Sequence, residues 1–114
     1  MENSMKRLWK LAVMTIAVTC FAVPGTSAGS IPAVDLFKAK CAACHAPDGS
    51  GTTTMGKALK IRDLGSADVQ KQSDEELIRI TTKGKGKMPA FDGKLKPDQI
   101  GELVGHIRSF AKKN

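Results

Sequence analysis

The chain has no tyrosine, one tryptophan and four phenylalanines, so aromatics make up only 4% of its 114 residues. Stacking platforms for nucleic-acid bases are therefore missing, and the formal charge of +7 is not by itself a nucleic-acid signature. There are three cysteines and two histidines, too few for a second metal cluster beside a first. No apolar run reaches the roughly 18 residues that mark a membrane span. The longest is Leu11–Val23. Strand-like alternation and internal repeats are absent too. What remains is a basic chain that is 41% apolar, which excludes both disorder and a wholly membrane-embedded protein.

Residues 1–28 are expected to be a cleaved secretory signal, leaving 29–114 as one domain. Lys6, Arg7 and Lys10 form a positive start, Leu11–Val23 an apolar centre, and Pro24-Gly25 a helix break. Thr26-Ser27-Ala28 then offers small residues to a peptidase. Setting aside those three cations and Glu2 lowers the formal charge from +7 to +5. Trp9 and Phe21 leave as well, so Phe37, Phe91 and Phe110 are the aromatics of the remaining domain. A chain of that size buries only about 60–65% of its unfolded surface and is marginal without a staple. Something besides side chains is expected to fill its centre.

The staple is legible at Cys41-Ala42-Ala43-Cys44-His45. The C-x-x-C-H spacing is the attachment pattern of covalent haem. Cysteines three apart lie on one side of a helical turn and reach two vinyl groups of one porphyrin. His45, one residue on, points an imidazole at the iron. A thioredoxin-like pair calls for a preceding strand and a βαβ setting, but an amphipathic helix precedes this one. A zinc site calls for two further ligands, and only His106 remains. One covalent haem c is therefore the expected cofactor.

An all-α domain is expected around it. Val34, Phe37, Cys41 and Cys44 share one face of a helix over about 33–44. Residues 46–56 form a loop, and 55–72 contain one or two short helical turns. Ser73-Asp74-Glu75-Glu76 opens a short helix in the manner of a capping box, with Leu77, Ile78 and Thr81 facing inward. Residues 83–96 form a second loop. Pro97 and Asp98 start a final helix whose apolar stripe is Ile100, Leu103, Val104, Ile107, Phe110 and Ala111. Gly101 and Gly105 suggest a close approach by another helix.

The iron then needs a second axial partner. The candidates after residue 28 are Met55, Met88 and His106. Met88 is preferred, because Gly84 and Gly86 let the backbone fold close to a flat porphyrin and Pro89 stiffens the next position. Met55 offers a short path from His45. His106 lies off the centre of the apolar stripe and reads as a packing residue at a helix edge.

These features together resemble the small bacterial class I c-type cytochromes. The likeness rests on the helix ending in Cys-Ala-Ala-Cys-His, the Pro47-Asp48-Gly49-Ser50-Gly51 turn, the Gly84–Phe91 run and the final helix ending Ile107-Arg108-Ser109-Phe110. The resemblance implies a cytochrome c fold, with first and last helices packed at a steep angle around one haem. It implies thioethers from Cys41 and Cys44, with His45 and Met88 as axial ligands. It also implies a hydrogen bond from the proximal imidazole to a backbone carbonyl near Thr53 or Thr54. Three positions depart from the family: Ala46 stands where glycine is frequent, His106 where an aromatic is common, and Thr53 or Thr54 where proline is common.

The expected function is a soluble, one-electron carrier in the periplasm or another exported location, not an enzyme. The alternative is a haem-based gas sensor or a small peroxidase-like protein with an open distal site. Lys40, Lys57, Lys60, Lys83, Lys85 and Lys87 flank the attachment and methionine segments and suit an acidic redox partner. Arg62 is a candidate partner for a haem propionate. No nucleic-acid partner is expected, and no membrane span after signal cleavage.

Overall fold

The computed structural model describes residues 29–112. The expected signal segment and Lys113 lie outside them. Six helices follow in order: α1 (Ala33–Lys40), α2 (Ala42–His45), α3 (Thr54–Ala58), α4 (Ala67–Gln70), α5 (Asp74–Lys83) and α6 (Pro97–Arg108). No strand is found among the described residues; the one β-bridge pairs Lys85 with Met88.

Local chemistry sets most of the helix starts. Ser73 caps α5 by accepting from the Glu76 amide at 3.1 Å. The second half of the expected capping box is missing, because the Glu76 carboxylate turns outward to Arg79 at 2.6 and 2.8 Å. Thr53 caps α3 the same way, accepting from Gly56 at 2.9 Å. At α6 the order is reversed: Lys96 offers no acceptor, and Gln99 Oε1 reaches back to the Lys96 amide at 2.9 Å. Pro97 takes the first turn, as expected.

The α6 helix is the centre of the packing. Leu103 joins Leu36 and Phe37 of α1 in one buried cluster. Val104, the next residue, joins Val69 of α4 and Leu77 of α5 in another. Adjacent residues on a helix point about 100° apart, so α6 is gripped on two sides. Leu64 and Ile107 touch both clusters and join them.

Several sequence expectations change here. The first helix is broken at Cys41, whose backbone (φ −120°, ψ −34°) leaves the helical line before α2 begins. The buried face of α1 is Leu36 and Phe37, and Val34 is 40% exposed. On α5, Ile78 is 37% exposed, while Leu77 and Thr81 are buried as expected. Ala111 is exposed beyond the end of α6. No helix approaches Gly101 or Gly105: a Cβ at either would meet nothing within 4 Å.

Candidate haem site

The attachment turn is built by its own backbone. The amides of Cys44 and His45 both donate to the Cys41 carbonyl, at 3.2 and 2.9 Å, so the two thiols and the imidazole ride on one turn. α3 is pressed directly onto this turn. A Cβ on Gly56 would run into the carbonyl oxygens of Gly51 and Cys44. The Thr53 hydroxyl, while capping α3, donates to the Cys44 carbonyl at 3.1 Å.

Opposite lies the methionine segment. Lys85 and Met88 exchange two backbone hydrogen bonds, at 3.2 and 3.0 Å, reversing the chain across Gly86-Lys87. Gly84 has φ +74°, and a Cβ there would sit 2.6 Å from the Met88 carbonyl oxygen. The base of the segment is closed by Phe91 N–H to Thr81 O at 3.2 Å and Asp92 N–H to Thr82 O at 3.0 Å. Lys83 adds an ion pair to Asp92 at 3.0 Å. Thr81 is itself fixed, with its buried hydroxyl donating to Leu77 O at 2.9 Å.

Between the two segments is a cavity of about 390 Å³, within the roughly 300–1,000 Å³ usual for cofactor sites. Cys41, Cys44, His45 and Met88 all line it, as does Arg62. A smaller recess of about 60 Å³ behind it is lined by Cys41, His45 and Met88 again, with Thr81 and Leu103. Of the other sulfur or nitrogen candidates, Met55 is 52% exposed and lines neither space. His106 packs edge-on between Phe37 and Phe110, with ring centroids 5.1 and 4.8 Å away, and also lines neither. It holds α6 to α1, as the packing interpretation expects.

The residues present fit a haem. The thiols are not joined in a disulfide. Burial, and after it the neighbouring Cys44, push the Cys41 thiol up to about 11. That is opposite to the depressed thiolate of a redox-active C-x-x-C pair. Burial lowers the pKa of His45, so its imidazole is neutral at pH 7 and keeps a lone pair for a metal. His45 Nδ1 is buried with no hydrogen-bond partner. The expected bond to a backbone carbonyl near Thr53 or Thr54 is therefore not formed. Around these donors the wall is hydrocarbon: Leu59, Ile61, Leu64, Val69, Leu77 and Ile80.

Charge around the cavity is of one sign. Lys40, Arg62, Lys85 and Lys87 line it, and no carboxylate does. Lys83 faces away to Asp92, while Lys57 and Lys60 are exposed outside the cavity. Of the aliphatic wall residues, Leu77 was legible from the sequence as facing inward. Leu59, Ile61 and Leu64 sit in irregular chain between short helices, where neither a 3.6- nor a 2-residue period exists to mark them, and Val69 lies on the four-residue α4, too short to show one.

Comparison with known proteins identifies the family. Residues 32–107 match the family described as cytochrome C oxidase, cbb3-type, subunit III. Cytochrome c6 of Nostoc sp. (strain PCC 7120) is 37% identical over 90% of this chain and 92% of its own length. Cytochrome c6 of Leptolyngbya boryana is 40% identical over 68% of this chain and 88% of its own. Among solved structures, the KustC0563 c-type cytochrome superposes with a TM-score of 0.67 at 34% identity, covering 72% of this chain and all of that one. With an all-α fold and one cavity carrying both thiols of a C-x-x-C-H turn, the chain belongs to the small class I c-type cytochromes, electron-transfer proteins with one covalently bound haem c.

Proposed function

We propose that the haem is held by thioethers from Cys41 and Cys44 and that its iron is closed on both sides, by His45 and Met88. The bound haem supplies a one-electron iron couple. The chain's part is to hold that couple still and dry. Cys41 and Cys44 prevent dissociation, and their shared turn aims the His45 imidazole. Met88 arrives on a segment tied at its base and reversed at its tip, so its thioether stays in place in both oxidation states. A soft sulfur ligand and an apolar wall both favour the reduced state and raise the potential.

One observation carries this reading: Met88 shares the cavity with His45, whereas Met55 and His106 lie outside it. With both axial positions filled, no exogenous ligand has a place to bind, which disfavours a gas sensor or peroxidase. The four cations at the cavity suit a redox partner with an acidic docking surface, and Arg62 is a candidate partner for a haem propionate. Residues 1–28 act as a cleaved signal and direct the carrier to the periplasm or an equivalent exported compartment. Among the described residues no helix is long and apolar enough to cross a membrane.

Carbon monoxide tests the closed iron. The reduced holoprotein is expected to refuse it, and Met88→Ala to take it up readily. Rapid uptake by the unaltered protein would overturn the reading.

A further inference from the structure

We infer that Gln72 sets the polarity of the haem crevice wall and that Arg108, on the far helix, positions it. The inference rests on the haem placement just proposed. Apart from the cations at the cavity, the cysteines and the two axial candidates, every side chain lining the crevice is hydrocarbon except Gln72. A carboxamide is a strong dipole, and at a half-buried position beside an apolar wall it acts on nearby charge with less screening than in bulk water.

Gln72 lies on the short turn between α4 and α5. Its own side-chain anchor is weak: Nε2 donates to Asp68 O at 3.3 Å, and its Oε1 accepts no hydrogen bond among the described residues. The turn is held from outside by one residue. Arg108 Nη1 donates to Gln70 O at 2.8 Å, Nη2 to Gln72 O, and Nε to Asp74 Oδ1 at 2.9 Å. The end of α4, the turn and the start of α5 are thereby gripped at three alternate residues by one planar guanidinium, a fork that lysine cannot reproduce. Only 29% of the Arg108 side chain is exposed, and it lines no part of the crevice. Of the three residues it grips, Gln72 alone lines the crevice. The neighbouring Gln70 does a different job, donating to Leu64 O and Ile107 O at 2.8 and 3.0 Å to lock the turn onto α6.

The oxidised haem carries one more positive charge than the reduced one. Replacing this polar side chain by hydrocarbon makes the wall less polar and leaves that charge less well stabilised, so the potential rises. A carboxylate in its place stabilises it, so the potential falls.

The test is a potentiometric titration of the full holoprotein, with optical spectra recorded throughout. Gln72→Leu is expected to raise the midpoint potential and Gln72→Glu to lower it. Arg108→Lys is expected to shift it in the direction of Gln72→Leu, by less, and to add nothing when combined with Gln72→Leu. Asp74→Ala, which removes one of the three anchors, is the milder second variant with the same expectation. An unchanged potential in Gln72→Leu overturns the role of Gln72. A full Arg108→Lys or Asp74→Ala shift persisting on top of Gln72→Leu overturns the positioning role. Failure of the underlying haem placement shows separately, as a wild-type spectrum without methionine ligation.

Discussion

Ala46 has the least comfortable backbone in the site. It follows His45, is 5% exposed, and sits at φ 64°, ψ 156°, a region essentially reserved for glycine. The methyl group contributes little there, since the conformation is imposed by the exit from α2. Ala46→Gly is therefore expected to stabilise the holoprotein by about 1 kcal/mol in chemical denaturation; equal or lower stability would show that the strain is absent. The departure at Ala46 was visible in the sequence once the family resemblance had marked the position, but its φ was not. Gly101 and Gly105 show the reverse. Their spacing suggested a helix contact, yet open space faces both, because spacing along one helix says nothing about what stands opposite. His106 was legible as a packing residue. The absence of a partner for its Nε2, buried beside two phenyl rings, was not.

Among the elements, the methionine segment is the one whose geometry matters most to function. Gly84 combines φ +74° with a close approach to the Met88 carbonyl. Gly84→Ala is expected to strain the segment by about 1–3 kcal/mol, which corresponds to roughly 5- to 150-fold easier release of Met88. Measurable carbon monoxide uptake by the reduced variant would report it, whereas complete refusal would mean that Gly84 does not hold the segment. The capping serine of α5, the proline opening α6 and the apolar stripe of α6 could all be read from sequence, because each is a local signal. The inward face of α1 was legible in part: Phe37 is buried as its spacing predicts, whereas Val34 is exposed, Leu36 is buried beside Phe37, and the chain leaves the helical line at Cys41, which packs on the same cluster. For the same kind of reason Ile78 was assigned inward: helical periodicity tells which residues share a face, and tertiary packing chooses how wide that face is. The grip of Arg108 on the α4–α5 turn spans distant parts of the chain and leaves no local trace.

Over the whole molecule, two small clusters meet on α6 and a crevice with an apolar wall occupies the remaining interior. The chain's thin apolar stock foreshadowed this: among the described residues only nine hydrophobic side chains are buried, and a cofactor-sized space lies beside them. Long-range ties then matter, and one of them is pH-sensitive. Lys112, near the end of the described chain, pairs with Asp63 at 2.7 Å, and Gly65 N–H donates to the same carboxyl group at 2.8 Å. These bonds, the Lys112 one first, lower the Asp63 pKa. A carboxyl whose folded pKa is lowered contributes stability above its unfolded value, about 3.9, and loses that contribution as pH falls through the folded value. Asp63→Asn is thus expected to be less stable than the unaltered protein at pH 7, with the gap closing below about pH 4. A gap independent of pH would contradict the assignment. The effect is modest, because the Lys112 side chain is 72% exposed and the pair is screened by solvent.

The fold and the attachment turn rest on local patterns, but the choice of second ligand rests on which sulfur shares the cavity with His45. The most direct measurement is the optical spectrum of the ferric holoprotein, taken beside Met88→Ala and Met55→Ala. A sulfur-to-iron charge-transfer band present in the unaltered protein, retained in Met55→Ala and lost in Met88→Ala is the expected result. A band that survives Met88→Ala, or is lost in Met55→Ala, would contradict it.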